Sequence, residues 1–282
     1  MLEQKQLTRI LFIDIETTSQ EKCFANLDPK RKELFKKRFK KEITSTITLN
    51  KNEYLAKKRA NVKKETIEKS LIEIENAVYE ETYNTKAPIF PEWNRILCIS
   101  IGILIQNDDN NFSMKILSFY DNDERVLLEN FINHPTLGPI LDSIAQKYDK
   151  SDKFWALCAF NGLVFDFPVI AKRLIINGFK LPKLFDYAHL KPWEAADILI
   201  DPKKAWQFGV WDGVVSMDTL TSIFNIPSSK DDIDGSMVKD VFWVENDLER
   251  IVKYCEKDVL ALGRVYLKMK SMNEEIVLLE KK

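Results

Sequence analysis

Residues 10–18 read ILFIDIETT. An apolar run of this kind is a buried strand, and it carries Asp14 and Glu16 two positions apart. Strand side chains alternate faces, so both carboxylates point the same way. Two anions sharing one buried spot repel each other and lose hydration. Either a positive partner sits there or the strand ends in solvent. Any fold proposed for this chain has to satisfy that pair.

The rest of the chain supplies strands and helices in alternation. RILCISIGILI (95–105) and FSMKILSFY (112–120) read as two further strands, joined by the turn-rich QNDDNN. FWALCAFN (154–161) reads as a fourth. ERVLLENFINH (124–134) reads as a helix, with helical continuation after Pro135. DFPVIAKRLIINGF (166–179) is a second, with Pro168 in its first turn and Gly178 near its end. A short helix, MDTLTSIFNI, stops at Pro227, with Asp218 read as its cap. In DLERIVKYCEKDVLALGRVYLKMK the apolar residues recur at helical spacing through Met269. The pattern predicts an α/β protein.

Between the first two strands lie about eighty residues of different character. Residues 30–69 hold 15 basic and 5 acidic side chains, although the formal net charge of all 282 residues is −1. Helices are expected at 29–41 and 51–83. This basic insertion is either a solvated helical pair packed on the sheet or a surface for a polyanion. In the second case Lys36, Lys37, Arg38, Lys40 and Lys41 are the expected phosphate contacts.

Several function classes lack their signatures. Four scattered cysteines with no CxxC pair read as free thiols in a reducing compartment, and two distant histidines offer no zinc motif. Neither GxGxxG nor GxxxxGK[ST] occurs among the eight glycines. The N-terminus has no signal-peptide form, and the longest apolar run is too short to span a bilayer. A cytoplasmic protein with no membrane partner is expected, and no protein partner can be named.

Two more acidic positions stand out. Asp166, in FNGLVFDFP, follows a strand and opens a helix; it is either an N-cap or a functional acid. Tyr254 and Asp258, in YCEKD, share a helical face at i and i+4. Singly they read as a core tyrosine and a surface acid. Acids from the first strand, from the end of the fourth and from the last helix can converge at one end of a mixed sheet. Oxygen ligands suit Mg²⁺ and Mn²⁺, and two such ions about 4 Å apart clamp a phosphodiester.

FIDIETT, FNGLVFDFP and YCEKD together resemble the three motifs of the DEDD 3′–5′ exonucleases. The chain is similar to the stand-alone exonucleases related to the proofreading domain of family B DNA polymerases. SMDTLTSIFNIPSSKDDIDGS and NLDPKRKELF resemble further stretches of that group, so the likeness covers nearly the whole chain. It implies a ribonuclease H-like mixed sheet flanked by helices, in one domain over 1–282 with a helical insertion at about 26–86. No polymerase domain is expected. It implies that Asp14, Glu16, Asp166 and Asp258 hold two Mg²⁺ or Mn²⁺ ions, Asp14 bridging them. Tyr254 matches the tyrosine that orients or helps deprotonate the attacking water. Lys253 stands where a sister subgroup has histidine, which marks the tyrosine (DEDDy) type. Thr17, Asn161 and Phe165 match positions near the terminal nucleotide, and Lys230 in SSKDDIDGS is placed to reach a phosphate. Local turn packing also accounts for Asn161, Phe165 and that loop. The implied activity is metal-dependent release of 5′-nucleoside monophosphates from single-stranded nucleic acid. The polymerase-like resemblance favours DNA. An exoribonuclease, a non-catalytic nucleic-acid-binding module and a structural helical protein are the rivals.

Overall fold

The computed structural model describes residues 7–57, 64–107, 111–143, 155–190, 195, 198–209, 215–272 and 275–279. Contacts divide the chain into two compact units, residues 1–17 with 96–282, and residues 18–95. In chain order, β1 is Ile10–Ser19, α1 Pro29–Arg38, α2 Lys40–Lys57 and α3 Lys64–Lys86. Next come β2 (Asn94–Gln106), β3 (Phe112–Tyr120), α4 (Glu124–Ile132), α5 (Leu137–Leu141) and β4 (Ala156–Cys158). Then follow α6 (Asp166–Ile176), β5 (Leu199–Ile200), α7 (Pro202–Trp206), α8 (Met217–Ile223), α9 (Leu248–Met269) and β6 (Ile276–Leu278).

Among the described residues the strands form one six-stranded sheet, ordered β5–β4–β1–β2–β3–β6. β1 pairs parallel with β4, Ile10 opposite Ala156 and Phe12 opposite Cys158. β4 pairs parallel with β5, β3 parallel with β6, and β2 with β3 antiparallel. With helices against it, this is the expected mixed α/β sheet, consistent with a ribonuclease H-like exonuclease domain.

The alternation of β1 decides which helix meets which residue. Leu11, Ile13 and Ile15 share a core with Leu127, Leu128 and Phe131 of α4 and Phe167, Ile170 and Leu174 of α6. Ile10 and Phe12 face the other way, into a core with Val259, Leu262 and Tyr266 of α9. The Phe12 and Tyr266 rings meet edge to face, centroids 5.6 Å apart. Burying a side chain such as Phe12 stabilises by roughly 1.5–3 kcal/mol. Asp14 and Glu16 continue the even register and so turn toward α9. The helix lies close: a Cβ on Gly263 would stand 2.5 Å from the Met114 Cε.

A buried ion pair ties α4 to α6. Arg173 reaches Glu124, which also accepts the Ile96 backbone N–H at 2.7 Å. The pair therefore clamps α6, whose first residue is Asp166, onto α4 and the start of β2.

The second unit has its own core. Phe24, Phe35, Phe39, Tyr83 and Trp93 form an aromatic cluster with Leu27, Ile43 and Val78. The ion pairs Lys86–Glu42 and Lys51–Glu75 show that α2 and α3 run antiparallel.

Some boundaries differ from expectation. Residues 43–50, ITSTITLN, fall between the two expected insertion helices but lie inside α2. Burial of Ile43 and packing on α3 outweigh the weak helix propensity of these β-branched residues. The Ser45 and Thr48 hydroxyls bond back to the Glu42 and Thr44 carbonyls, both at 2.8 Å. β4 is only three residues, because the chain turns at Ala159–Phe165. Phe154, residues 58–63 of the expected second insertion helix and 108–110 of the β2–β3 turn lie outside the described residues. Asp218 is not a cap. Ser216 caps α8 and accepts the Thr219 N–H at 3.0 Å, while Asp218 pairs with Lys230.

Candidate active site

β1 delivers Asp14 and Glu16, and α9 brings Asp258 to them. One carboxylate oxygen from each of the three lies within 4.8 Å of the others. α9 is set in register by Cys255, whose Sγ donates to the Asp14 carbonyl at 3.3 Å. Its neighbour Tyr254 is 7% exposed and hydrogen-bonds the Asp258 carboxylate.

Asp166 arrives by another route. β4 ends beside β1, and the chain turns through Asn161 in the left-handed region, φ 67°. Asparagine tolerates that conformation. Gly162 is required here, since a Cβ would sit 2.5 Å from the Ala159 Cβ. The turn closes with the Val164 and Phe165 N–H groups donating to the Asn161 carbonyl, each at 3.0 Å. Phe165 occupies the N-cap position of α6 and makes no side-chain cap. Asp166 is thus the first helical residue, not the cap. Its buried carboxylate accepts from its own backbone N–H and from that of Ile15 on β1. It stands near enough to raise the pKa of both Asp14 and Glu16, although it lies outside the 4.8 Å group.

All four acids are pushed toward the protonated form. Burial raises Asp14, and Asp258, Glu16 and Asp166 add repulsion in that order. Burial also raises Glu16. Asp166 is lifted to about 7, mainly by burial. Asp258 is raised by burial, while Ser229, Tyr254 and Lys230 pull it back. Four carboxylates in this space cannot all ionise at neutral pH without compensating positive charge. The Asp14 Oδ2 is buried with no hydrogen-bond partner, an orphaned acceptor on a member of the group. Hard oxygen donors, crowding and an unsatisfied lone pair together fit a divalent cation.

The other candidate residues are distributed around this cluster in different ways. Asn161 and Phe165 are half-buried on the turn before Asp166, beside Val164, which is 74% exposed. Thr17, half-buried, follows Glu16 on β1. Lys230 is exposed, and its Nζ lies 2.6 Å from Asp218. The two residues that follow it are tied down, Asp231 to Lys257 and Asp232 to Arg250. A phosphate that reaches Lys230 shares or replaces the Asp218 contact.

The sequence marks Asp201 only as one further acid. Its carboxylate accepts the Asn161 N–H at 3.0 Å and the Leu163 N–H at 3.4 Å. It also caps α7 through the Lys203 and Lys204 N–H groups, at 3.0 and 3.3 Å. The Asp-Pro pair at 201–202 is a helix-start signal, with proline at N1. Nothing in the sequence links it to the turn forty residues earlier.

The family model described as "predicted 3′-5′ exonuclease related to the exonuclease domain of PolB" matches residues 90–281. The chain belongs to this family. The matched span of the PolB-related exonucleases contains Asp166, Tyr254 and Asp258, while Asp14 and Glu16 precede it. Geometry, not the match, joins those two to the exonuclease segment. No curated protein matches the chain. As the short apolar runs imply, no helix of the described residues is long and apolar enough to cross a membrane.

Proposed function

We propose that this protein is a metal-dependent 3′–5′ exonuclease of the DEDDy type, acting on single-stranded nucleic acid, DNA by preference. The observation that carries the reading is the meeting of Asp14, Glu16 and Asp258, with one Asp14 oxygen orphaned, in a chain of the PolB-related exonuclease family. Asp14, Glu16, Asp166 and Asp258 would hold two Mg²⁺ or Mn²⁺ ions. Such ions supply Lewis-acid stabilisation of charge on the attacking and leaving oxygens of a phosphodiester.

The chain's own groups do the rest. Thr17, Asn161 and Phe165 receive the terminal nucleotide, Phe165 by stacking, which tolerates any base. Lys230 exchanges Asp218 for a backbone phosphate. Tyr254 orients the water. Burial, then the carboxylates of Asp258, Glu16 and Asp14, raise its pKa far above the ordinary phenol value, so it acts as a protonated hydroxyl. The water oxygen bonds to the terminal phosphorus and the P–O3′ bond breaks. The proton ends on the new 3′-hydroxyl of the shortened strand, and a 5′-nucleoside monophosphate departs. The buried free thiols of Cys98, Cys158 and Cys255 are in keeping with a reducing, cytoplasmic setting.

The test is incubation of the purified protein with 5′-labelled DNA and RNA single strands and Mg²⁺ or Mn²⁺. A descending ladder is expected, faster on DNA. Immediate release of the labelled mononucleotide would reverse the polarity. A faster RNA ladder would make it an exoribonuclease, and no cleavage with either ion would leave a binding module.

A further inference from the structure

The second unit carries a groove of about 910 Å³ where α1 meets α2. Lys37, Arg38, Lys40 and Lys41 line one end of it, and Thr44, Leu49 and Asn52 continue along α2. From Lys40 to Asn52 the helix rises roughly 18 Å.

Among the described residues, some lysines of this unit have carboxylate partners and others do not. Lys51, Lys57, Lys64 and Lys86 are neutralised by Glu75, Glu53, Glu68 and Glu42. Lys36 lies over the Tyr79 ring, 4.0 Å from its centroid, and Arg38 over Phe90 at 5.3 Å. Lys37, Lys40 and Lys41 are exposed, and among the described residues no carboxylate pairs with them.

Local structure accounts for only one member of that cluster. Lys37, in the last turn of α1, suits the negative end of its helix. Lys40 and Lys41 occupy the first turn of α2, where cations oppose the macrodipole. Neighbouring like charges add repulsion. Three uncompensated ammonium groups and a guanidinium, along a groove with an exposed Leu49 and the Asn52 amide, match a polyanion with apolar faces.

We infer that this groove is a second nucleic-acid contact, holding the phosphate chain of a single strand through Lys37, Lys40 and Lys41 with Arg38 beside them. Its occupant is defined by phosphodiester charge, so DNA and RNA are both accepted. That the strand is also the substrate rests on the exonuclease reading; the contact itself does not.

The test measures binding of the full chain to dT₃₀ and rU₃₀ in EDTA over a salt series. Replacement of Lys37, Lys40 and Lys41 by glutamine is expected to weaken binding about tenfold or more, and to flatten the log–log salt slope by about 2, at ~0.7 for each of three phosphates. The same three positions changed to arginine should retain both. Lys57, Lys64 and Lys86 to glutamine removes equal charge from paired sites and should leave the slope unchanged. An unaltered slope in the groove variant, or equal losses in the control, would overturn the inference. So would wild-type binding to phosphatidylserine vesicles, lost in the groove variant, with no binding to either oligonucleotide. Hydrolysis of the p-nitrophenyl ester of thymidine 5′-monophosphate with Mn²⁺ reports on the catalytic cluster separately. Ester hydrolysis with an unaltered slope sinks the groove alone. An altered slope with neither ester nor strand cleaved sinks the exonuclease reading alone.

Discussion

The Asp201 carboxylate accepts the backbone N–H of Asn161 at 3.0 Å, joining the turn before Asp166 to the start of α7. One side chain thus sets the left-handed residue that aims the turn and caps a helix. Asp201→Ala leaves the N–H groups of Asn161, Leu163, Lys203 and Lys204 without that acceptor. Expected are a loss of about 1–3 kcal/mol in stability and a rise in KM for oligonucleotides. Asp201→Asn, which keeps an acceptor oxygen, should fall between. Melting curves with steady-state kinetics check this; lowered stability with an unchanged KM would confine Asp201 to the scaffold.

Asp14→Asn should abolish turnover and leave the fold intact. Its oxygen is the orphaned acceptor of the cluster. Without metal the variant should melt higher than wild type, by about 2 °C or more, because repulsion from Asp258, Glu16 and Asp166 is relieved. Activity within about tenfold of wild type at saturating metal would rule out a bridging role for Asp14.

Tyr254→Phe should lower kcat by about 10²-fold, the scale of losing a group that positions a nucleophile. KM should change little, since the hydroxyl faces Asp258 and not the strand. A raised KM with unchanged kcat, measured on the same oligonucleotide, would assign the tyrosine to substrate binding.

Metal-free protein should lose stability as pH rises through the acid range. An acid whose pKa is higher folded than unfolded binds its proton more tightly in the native state. Its stabilisation is complete below the unfolded value and is lost as pH climbs to the folded one. For Asp166 that window runs from about 4 to about 7, and Asp14, Glu16 and Asp258 add in the same direction. Saturating Mn²⁺ should remove the decline, because a ligand of the native state compensates the ionised acids. Melting temperatures across the range, with and without Mn²⁺, give the answer. A metal-free Tm that climbs with pH would show that the cluster is not under charge strain.

The periodicity of α9, the strand character of β1 to β3 and the spacing of Asp14 and Glu16 were legible in the residues. They are local: a period of 3.6 or 2 is written in neighbours along the chain. The same holds for the positive charge of 30–69. Other features depended on partners distant in sequence. Helix α2 forms through β-branched residues because Ile43 packs in the aromatic core with Val78 and Tyr83. Asp218 belongs to Lys230 and not to a cap. Asp201 reaches back to Asn161, and Cys255 reaches Asp14 across 241 positions. The acids themselves could be picked from the sequence, but their meeting could not. Whether two carboxylates repel, share a proton or hold a cation is a matter of a few ångströms, and only the packing of α9 on β1 sets that distance.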